Sequence, residues 1–181
     1  LRIAISGPPG SGKTTLARLI SEKTGMRLIY AGKIFRDMAA ERGLSLEDFG
    51  RLAETDESID RELDERMVKI ASEADDIVLD GRLTGYMTYK HGIDAFRAYV
   101  TAELPIRVER IAGREKKDLE KVEKEVLERE RSEYERYMKY YGFDIRDTSI
   151  YDLVLDSSHM SPEALAERLL HEAGVEHAHK G

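Results

Sequence analysis

The sequence predicts an α/β fold, a five-stranded parallel sheet with helices on both faces. Three observations predict it. Short apolar runs alternate with helical patterns along the chain, which is the rhythm of parallel strands joined by crossover helices. The first run, Ile3-Ala4-Ile5, leads into a glycine-rich octapeptide and then a helix. One long interval, 31–75, breaks the rhythm with helical patterns only and reads as an insertion.

In order, the first strand is Arg2 to Ser6, and the helix Lys13 to Lys23 places Leu16, Ala17, Leu19 and Ile20 on one face before Gly25 ends it. Arg27 to Tyr30 is a short second strand, followed by Ala31-Gly32 and a helix from about Lys33 to Arg42. Ser45-Leu46-Glu47-Asp48 has the form of a capping-box start, and Ser58 to Ala74 carries Ile59, Leu63, Met67 and Ile70 at helical spacing. Asp76 to Asp80 is a buried third strand ending on a carboxylate, and Ala95 to Thr101 is a fourth, with Phe96, Ala98 and Val100 alternating. Pro105 to Gly142 is one or two charged helices. Leu119, Val122 and Val126 line one face there, and Tyr134, Tyr137, Met138 and Tyr141 continue the stripe as packing residues. Ile150 to Asp156 is the fifth strand, and Ser161-Pro162 caps and starts the last helix. His177 and His179 fall in a terminal tail.

With 181 residues, one domain is expected, and any division inside it is into subdomains. The 29 basic and 36 acidic residues leave a net charge of -7, which argues against a nucleic-acid partner. There is no cysteine, hence no disulfide and no thiolate-bound zinc. No apolar run reaches membrane-spanning length, and the first strand begins at the second residue, so a soluble, cytoplasmic monomer without a targeting peptide or membrane partner is expected.

The octapeptide Gly7-Pro8-Pro9-Gly10-Ser11-Gly12-Lys13-Thr14 fits G-x-x-x-x-G-K-[ST] between a strand and a helix. This is a phosphate cradle. Its glycines let backbone N–H groups point inward, the helix adds the positive end of its dipole, and Lys13 reaches the outer phosphates. Thr14 offers a hydroxyl ligand for Mg²⁺, and Asp80, at the ligand-binding edge of a parallel sheet, offers a carboxylate.

A phosphate loop specifies a nucleotide, not a reaction. Arg36 and Arg82 follow the second and third strands and suit a second phosphate, because a guanidinium binds it bidentately. Arg107, Arg110 and Arg114 share one helix face and converge toward ATP, while Arg129 and Arg136 repeat a seven-residue spacing further along.

These stretches carry a resemblance that covers almost the whole chain. Gly7 to Thr15, Ala31-Gly32-Lys33-Ile34-Phe35-Arg36, Asp80-Gly81-Arg82 and Arg110-Ile111-Ala112-Gly113-Arg114 resemble the successive motifs of nucleoside monophosphate kinases. Within that group, Gly81-Arg82-Leu83-Thr84-Gly85-Tyr86 and Ser149-Ile150-Tyr151-Asp152-Leu153-Val154 most resemble the archaeal type of cytidylate kinase. The resemblance implies a P-loop kinase fold with a core (1–30, 76–112, 143–181), a helical monophosphate-binding insertion (31–75) and an arginine-bearing helical lid (113–142). It implies transfer from ATP to CMP, and to dCMP as a second acceptor, giving CDP and ADP. Arg36 and Arg82 would hold the acceptor phosphate, and Arg110 would border the ATP base. Arg114 with a lid arginine, Arg129 or Arg136, would meet the transferred group. Adenylate kinases usually place Phe-Pro-Arg after Asp-Gly, whereas Arg82 follows Gly81 directly; Arg129-Glu130-Arg131-Ser132-Glu133 also departs from the bacterial cytidylate kinase lid.

The acceptor chemistry agrees with a phosphate. A monophosphate oxygen is already an anionic nucleophile, so alignment and charge neutralisation suffice. Kinases acting on a hydroxyl benefit from a carboxylate just after the second strand, where this chain has Ala31-Gly32-Lys33. In the insertion, Asp60, Arg61 and Asp64 are candidates for reading cytosine, a carboxylate accepting from its amine and Arg donating to its carbonyl. Closure of 113–142, with Gly113 and Gly142 as hinges, would exclude water from ATP. The alternatives are another monophosphate kinase, such as an adenylate kinase, and a non-catalytic nucleotide-binding switch.

Overall fold

The computed structural model describes residues 1–175, so His177 and His179 lie outside the described residues. The elements are β1 (Arg2–Ser6), α1 (Lys13–Thr24), β2 (Arg27–Tyr30), α2 (Ala31–Glu41), α3 (Leu46–Thr55), α4 (Glu57–Glu73), β3 (Ile77–Asp80), α5 (Thr84–Lys90), β4 (Phe96–Thr101), α6 (Leu104–Glu115), α7 (Leu119–Tyr141), β5 (Leu153–Asp156) and α8 (Pro162–Glu172). The five strands are parallel in the order β2-β3-β1-β4-β5. No helix among the described residues is long and apolar enough to cross a membrane.

Because successive side chains of a strand point to opposite faces, β1 serves two cores at once. Ile3 and Ile5 pack with Leu16 and Ile20 of α1 and Leu165, Leu169 and Leu170 of α8. Ala4 faces the other way with Ile77 and Leu79 of β3, against Met67 and Ala71 of α4. All four residues of β3 are buried, as expected of a strand covered on both faces. Met38, Phe49 and Ile59 give α2, α3 and α4 a small core of their own. The chain leaves central β1 for β2 and β3 on one side and crosses to β4 on the other, which opens a crevice at the carboxyl edge of the sheet.

Several boundaries differ from expectation for visible reasons. Asp76 has φ 53, so pairing in β3 starts one residue later. The fifth strand begins at Leu153 rather than Ile150, because Tyr151 turns to pack on Tyr99 with ring centroids 5.1 Å apart and Asp152 accepts the Arg97 N–H at 2.8 Å. Ala31 and Gly32 belong to α2, which starts without a linker. Lys116, at φ 53, divides the 105–142 stretch into α6 and α7. The tyrosine stripe is also corrected: Val122, Val126 and Tyr137 are buried, but Leu119 and Met138 are 52% and 40% exposed, pointing away from the packed face.

The α5 helix was not expected from the sequence, and its own residues explain why. Gly85 and two threonines among seven residues favour other conformations. Tertiary contacts hold it instead, with the Thr84 hydroxyl 3.1 Å from Ile5 O and Ser6 Oγ accepting from Gly85 N at 3.0 Å. The Ser45 and Ser161 caps form as expected, each hydroxyl accepting from the backbone N–H three residues on at 3.1 Å.

Candidate active site

The glycine-rich loop joins β1 to α1 at the carboxyl edge of the sheet. Gly10 and Gly12 adopt φ 78 and 89, a region costly for residues with a Cβ. At Gly10 space forbids one too, since a Cβ would lie 2.7 Å from Arg107 O. Gly12 caps α1 without a side chain, which leaves the first N–H groups of the helix open to an anion.

The loop is braced from behind by side chains. Ser157, 1% exposed, donates its hydroxyl to Ser11 O at 2.6 Å. Arg110 reaches Gly10 O at 3.2 Å, Ser157 Oγ at 2.9 Å and Ser157 O at 2.7 Å. Arg107 was expected to face ATP, but it is buried and donates to Pro9 O at 3.3 Å, Ala102 O at 3.0 Å and Glu130 at 2.5 Å. It supports the loop from within the core.

Asp80 ends β3 beside Ile5 of β1, fully buried, and among the described residues neither carboxylate oxygen has a hydrogen-bond partner. Burial raises its pKa, opposed chiefly by the charge of Lys13. An unpartnered buried carboxylate next to the Thr14 hydroxyl is costly alone and fits a hard divalent cation. Burial lowers Lys13 to about 8, helped by Arg129 and Arg82 and opposed by Asp80 and Glu133. A phosphate in the cradle would favour its charged form.

Two adjoining cavities meet here. One, of about 730 Å³, is lined by Gly10 to Thr15 with Pro9, Arg110 and Arg114. The other, of about 630 Å³, is lined by Asp60, Asp64, Asp80, Arg82 and Arg136. Lys13, Thr14, Tyr30, Glu125 and Arg129 line both.

The second cavity is ringed by charged pairs contributed by different elements. Arg82 donates Nε to Glu133 at 2.7 Å, and Arg129 donates Nε to the other oxygen of the same carboxylate at 3.0 Å. Arg136 meets Asp60 at 3.3 Å and Ser132 at 2.7 Å. Asp64 accepts from the Tyr141 hydroxyl, and burial pushes its carboxyl up to about 7. The helix α7 therefore touches both β3's end and the insertion.

Of the residues expected from sequence, the loop from Pro9 to Thr15, Asp80, Arg82, Asp60, Asp64, Arg110, Arg114, Arg129 and Arg136 are brought to this pair of cavities. Gly7 and Pro8 line neither cavity, and Gly7 packs instead against Val100 O of β4. Arg36 and Arg61 are not brought there either. Arg36 is exposed, with its guanidinium over the Tyr30 ring, 5.8 Å from the centroid. Arg61 points outward, pairing with Glu57 and lying 5.8 Å over Tyr141, so a base-reading role is not what its placement favours. Sequence reasoning missed Glu133, Ser157 and Tyr30. Glu133 sits in a block of alternating charge that reads as a solvated face, and Ser157 lies 146 residues from the carbonyl it holds.

The sequence model of the cytidylate kinase-like family matches residues 2–159. The chain belongs to that family. A cytidylate kinase of Natronomonas pharaonis is 46% identical over 90% of this chain and 84% of the relative. One of Methanosarcina acetivorans is 48% identical over 87% of each. The family fold recurs in more distant structures. An uncharacterized protein from Eubacterium ventriosum superposes with TM-score 0.74 at 15% identity, covering 97% of this chain and 99% of that one. Shikimate kinase from Bacteroides thetaiotaomicron reaches 0.62 at 14% identity, with the same coverage. At such identities the likeness concerns the fold alone, which makes the family's acceptor a matter for the second cavity.

Proposed function

We propose that the protein is a nucleoside monophosphate kinase that transfers the γ-phosphoryl group of ATP to CMP, and to dCMP as a second acceptor, forming CDP and ADP. The observation that carries this reading is the meeting of the two cavities at Lys13 and Arg129. One cavity contains the phosphate loop; the other contains Arg82 and a set of carboxyl groups suited to a polar base.

Each group then has a task. Backbone N–H groups of the loop and the start of α1 hold the donor phosphates, with Arg110 and Arg114 beside the nucleotide. Thr14 and Asp80 would hold Mg²⁺, which when bound would supply charge neutralisation at the donor phosphates. Arg82 binds the acceptor phosphate, with Arg36 as a further cation at the rim. Lys13 and Arg129, shared by both cavities, with Arg114 and Arg136 nearby, stabilise charge on the group in flight. Asp60 and Asp64 face the base. The role of the protein is alignment and neutralisation, since the acceptor oxygen needs no base. The insertion 31–75 carries the acceptor side, and 113–142 is the lid whose closure excludes water.

A panel of monophosphates with Mg-ATP tests the reading. CMP is expected to give the highest kcat/KM, with dCMP next; preference for AMP would overturn the acceptor, and ATP binding without turnover of any monophosphate would overturn the reaction.

A further inference from the structure

Glu133 is a carboxylate held where no ordinary surface helix would place one. It is 4% exposed although it lies on α7, the most highly charged helix of the chain. Its Oε2 accepts from Arg82 Nε at 2.7 Å and its Oε1 accepts from Arg129 Nε at 3.0 Å. The two arginines come from different parts of the fold, Arg82 from the turn after β3 and Arg129 from one turn earlier on α7. Burial alone would raise this carboxyl, but the two guanidinium groups outweigh it and keep it ionised.

The use of Nε is informative. A guanidinium anchored through Nε has its plane fixed and its two terminal nitrogens free to meet another anion. Among the described residues Arg82 Nη1 is buried and has no hydrogen-bond partner, and the residue itself lines the acceptor cavity. A buried guanidinium nitrogen without a partner is costly, and the cost is relieved by an anion arriving in that cavity. The same carboxylate offsets part of the repulsion that Arg82 and Arg129 exert on Lys13, all three lining one cavity.

We propose that Glu133 is a positioning residue: through its two oxygens it orients Arg82 toward the acceptor phosphate and Arg129 toward the transferred group, and joins the placement of α7 to the readiness of the acceptor site. This rests on the reading of Arg82 as an acceptor-phosphate ligand. When α7 is in place, both guanidinium planes are set; when it is displaced, Arg82 loses its anchor, and the site has no reason to act on ATP.

The test is Glu133→Gln, alone and combined with Arg82→Lys, measured with CMP and Mg-ATP. A glutamine keeps the shape, but its carbonyl accepts from only one arginine and its amide presents a donor to the other. The single variant is expected to lose about a hundredfold in kcat, with KM for CMP rising by less than about tenfold. In the Arg82→Lys background, where the Arg82 Nε is gone and only Arg129 remains to be held, the same change should cost less than about tenfold further. A purely structural Glu133 gives independent losses in the two backgrounds, and that result, or wild-type kinetics for Glu133→Gln, overturns the proposal. Wild-type kinetics for Arg82→Lys would instead remove Arg82 from the acceptor phosphate and the proposal with it. If Glu133→Gln does not fold, arginine-labelled wild-type protein reads the contact by NMR: slowly exchanging Nε–H signals for Arg82 and Arg129 are expected, and exchange as fast as that of exposed arginines overturns it.

Discussion

The loop cavity and its neighbour, the donor and acceptor sides of the proposed reaction, adjoin but are built on different principles. On the donor side the loop's backbone N–H groups, joined by the Lys13 and Thr14 side chains, face the cavity, and Ser157 and Arg110 fix the loop by bonding to its own carbonyls. On the acceptor side the ligand-facing groups are side chains that hold one another in pairs: Arg82 and Arg129 with Glu133, Arg136 with Asp60, Tyr141 with Asp64. A backbone cradle is complete before its ligand arrives. A ring of paired side chains must trade partners when an anion enters, so acceptor binding is tied to helix placement more closely than donor binding, where Arg129 and Glu125 are the charged α7 groups that line both cavities.

Lys13 lies where the two cavities join, so its removal should be the most damaging change. Lys13→Ala is expected to lower kcat by about a thousandfold or more, because the cation that follows the moving phosphoryl group is lost. Single-turnover kinetics with CMP and Mg-ATP check this. A loss confined to the KM for ATP, with kcat intact, would place Lys13 on the donor side only and break the picture of a shared junction.

A smaller effect separates the two sides. Ser157→Ala removes the hydroxyl that donates to Ser11 O and accepts from Arg110, leaving that carbonyl with the longer Arg110 Nη1 contact at 3.3 Å alone. The dissociation constant for ATP should weaken about tenfold, a loss of ~1.4 kcal/mol, with that for CMP changed less than about twofold. Isothermal titration of each nucleotide reads both. Equal weakening of the two would mean that the loop brace also supports the acceptor cavity.

The same contrast explains what the sequence made legible. The donor cradle is contiguous in the chain, and its spacing is set by backbone geometry, so the eight residues from Gly7 to Thr14 announce it without knowledge of the fold. The strands followed for a similar reason, since a strand buried on both faces, like Ile77–Asp80, is apolar throughout. The acceptor side has no such local signature. Glu133 and Asp60 belong to helices in which acidic and basic residues alternate, and only the placement of α7 against β3 and α4 distinguishes a buried Glu133 from an exposed Glu128. Arg36 shows the converse. Its position after β2 is right for a phosphate, yet the early start of α2 carries it out over Tyr30. The missing α5 belongs to the same class, because burial, not propensity, holds Thr84–Lys90 in a helix.

The smallest effect tests the acceptor side without any substrate. Asp64 is half-buried, and burial holds its carboxyl at about 7, against 3.8 for an ordinary one; the Tyr141 hydrogen bond, Lys90 and Arg61 pull downward, while Asp60 adds to the rise. A folded state that favours the protonated form is most stabilised by this group below its ordinary pKa, near pH 4. That contribution is lost as pH rises through about 7, where folding must bury the charge. Asp64→Asn keeps an acceptor for Tyr141 and removes the titration. The variant should therefore gain on the wild type between pH 5 and pH 8, by about 1 to 2 kcal/mol after allowance for the partial exposure of the site. Urea unfolding across that range measures the difference. A constant gap between the two proteins would mean that Asp64 stays ionised throughout, and that the acceptor cavity tolerates one more buried charge than its pairs account for.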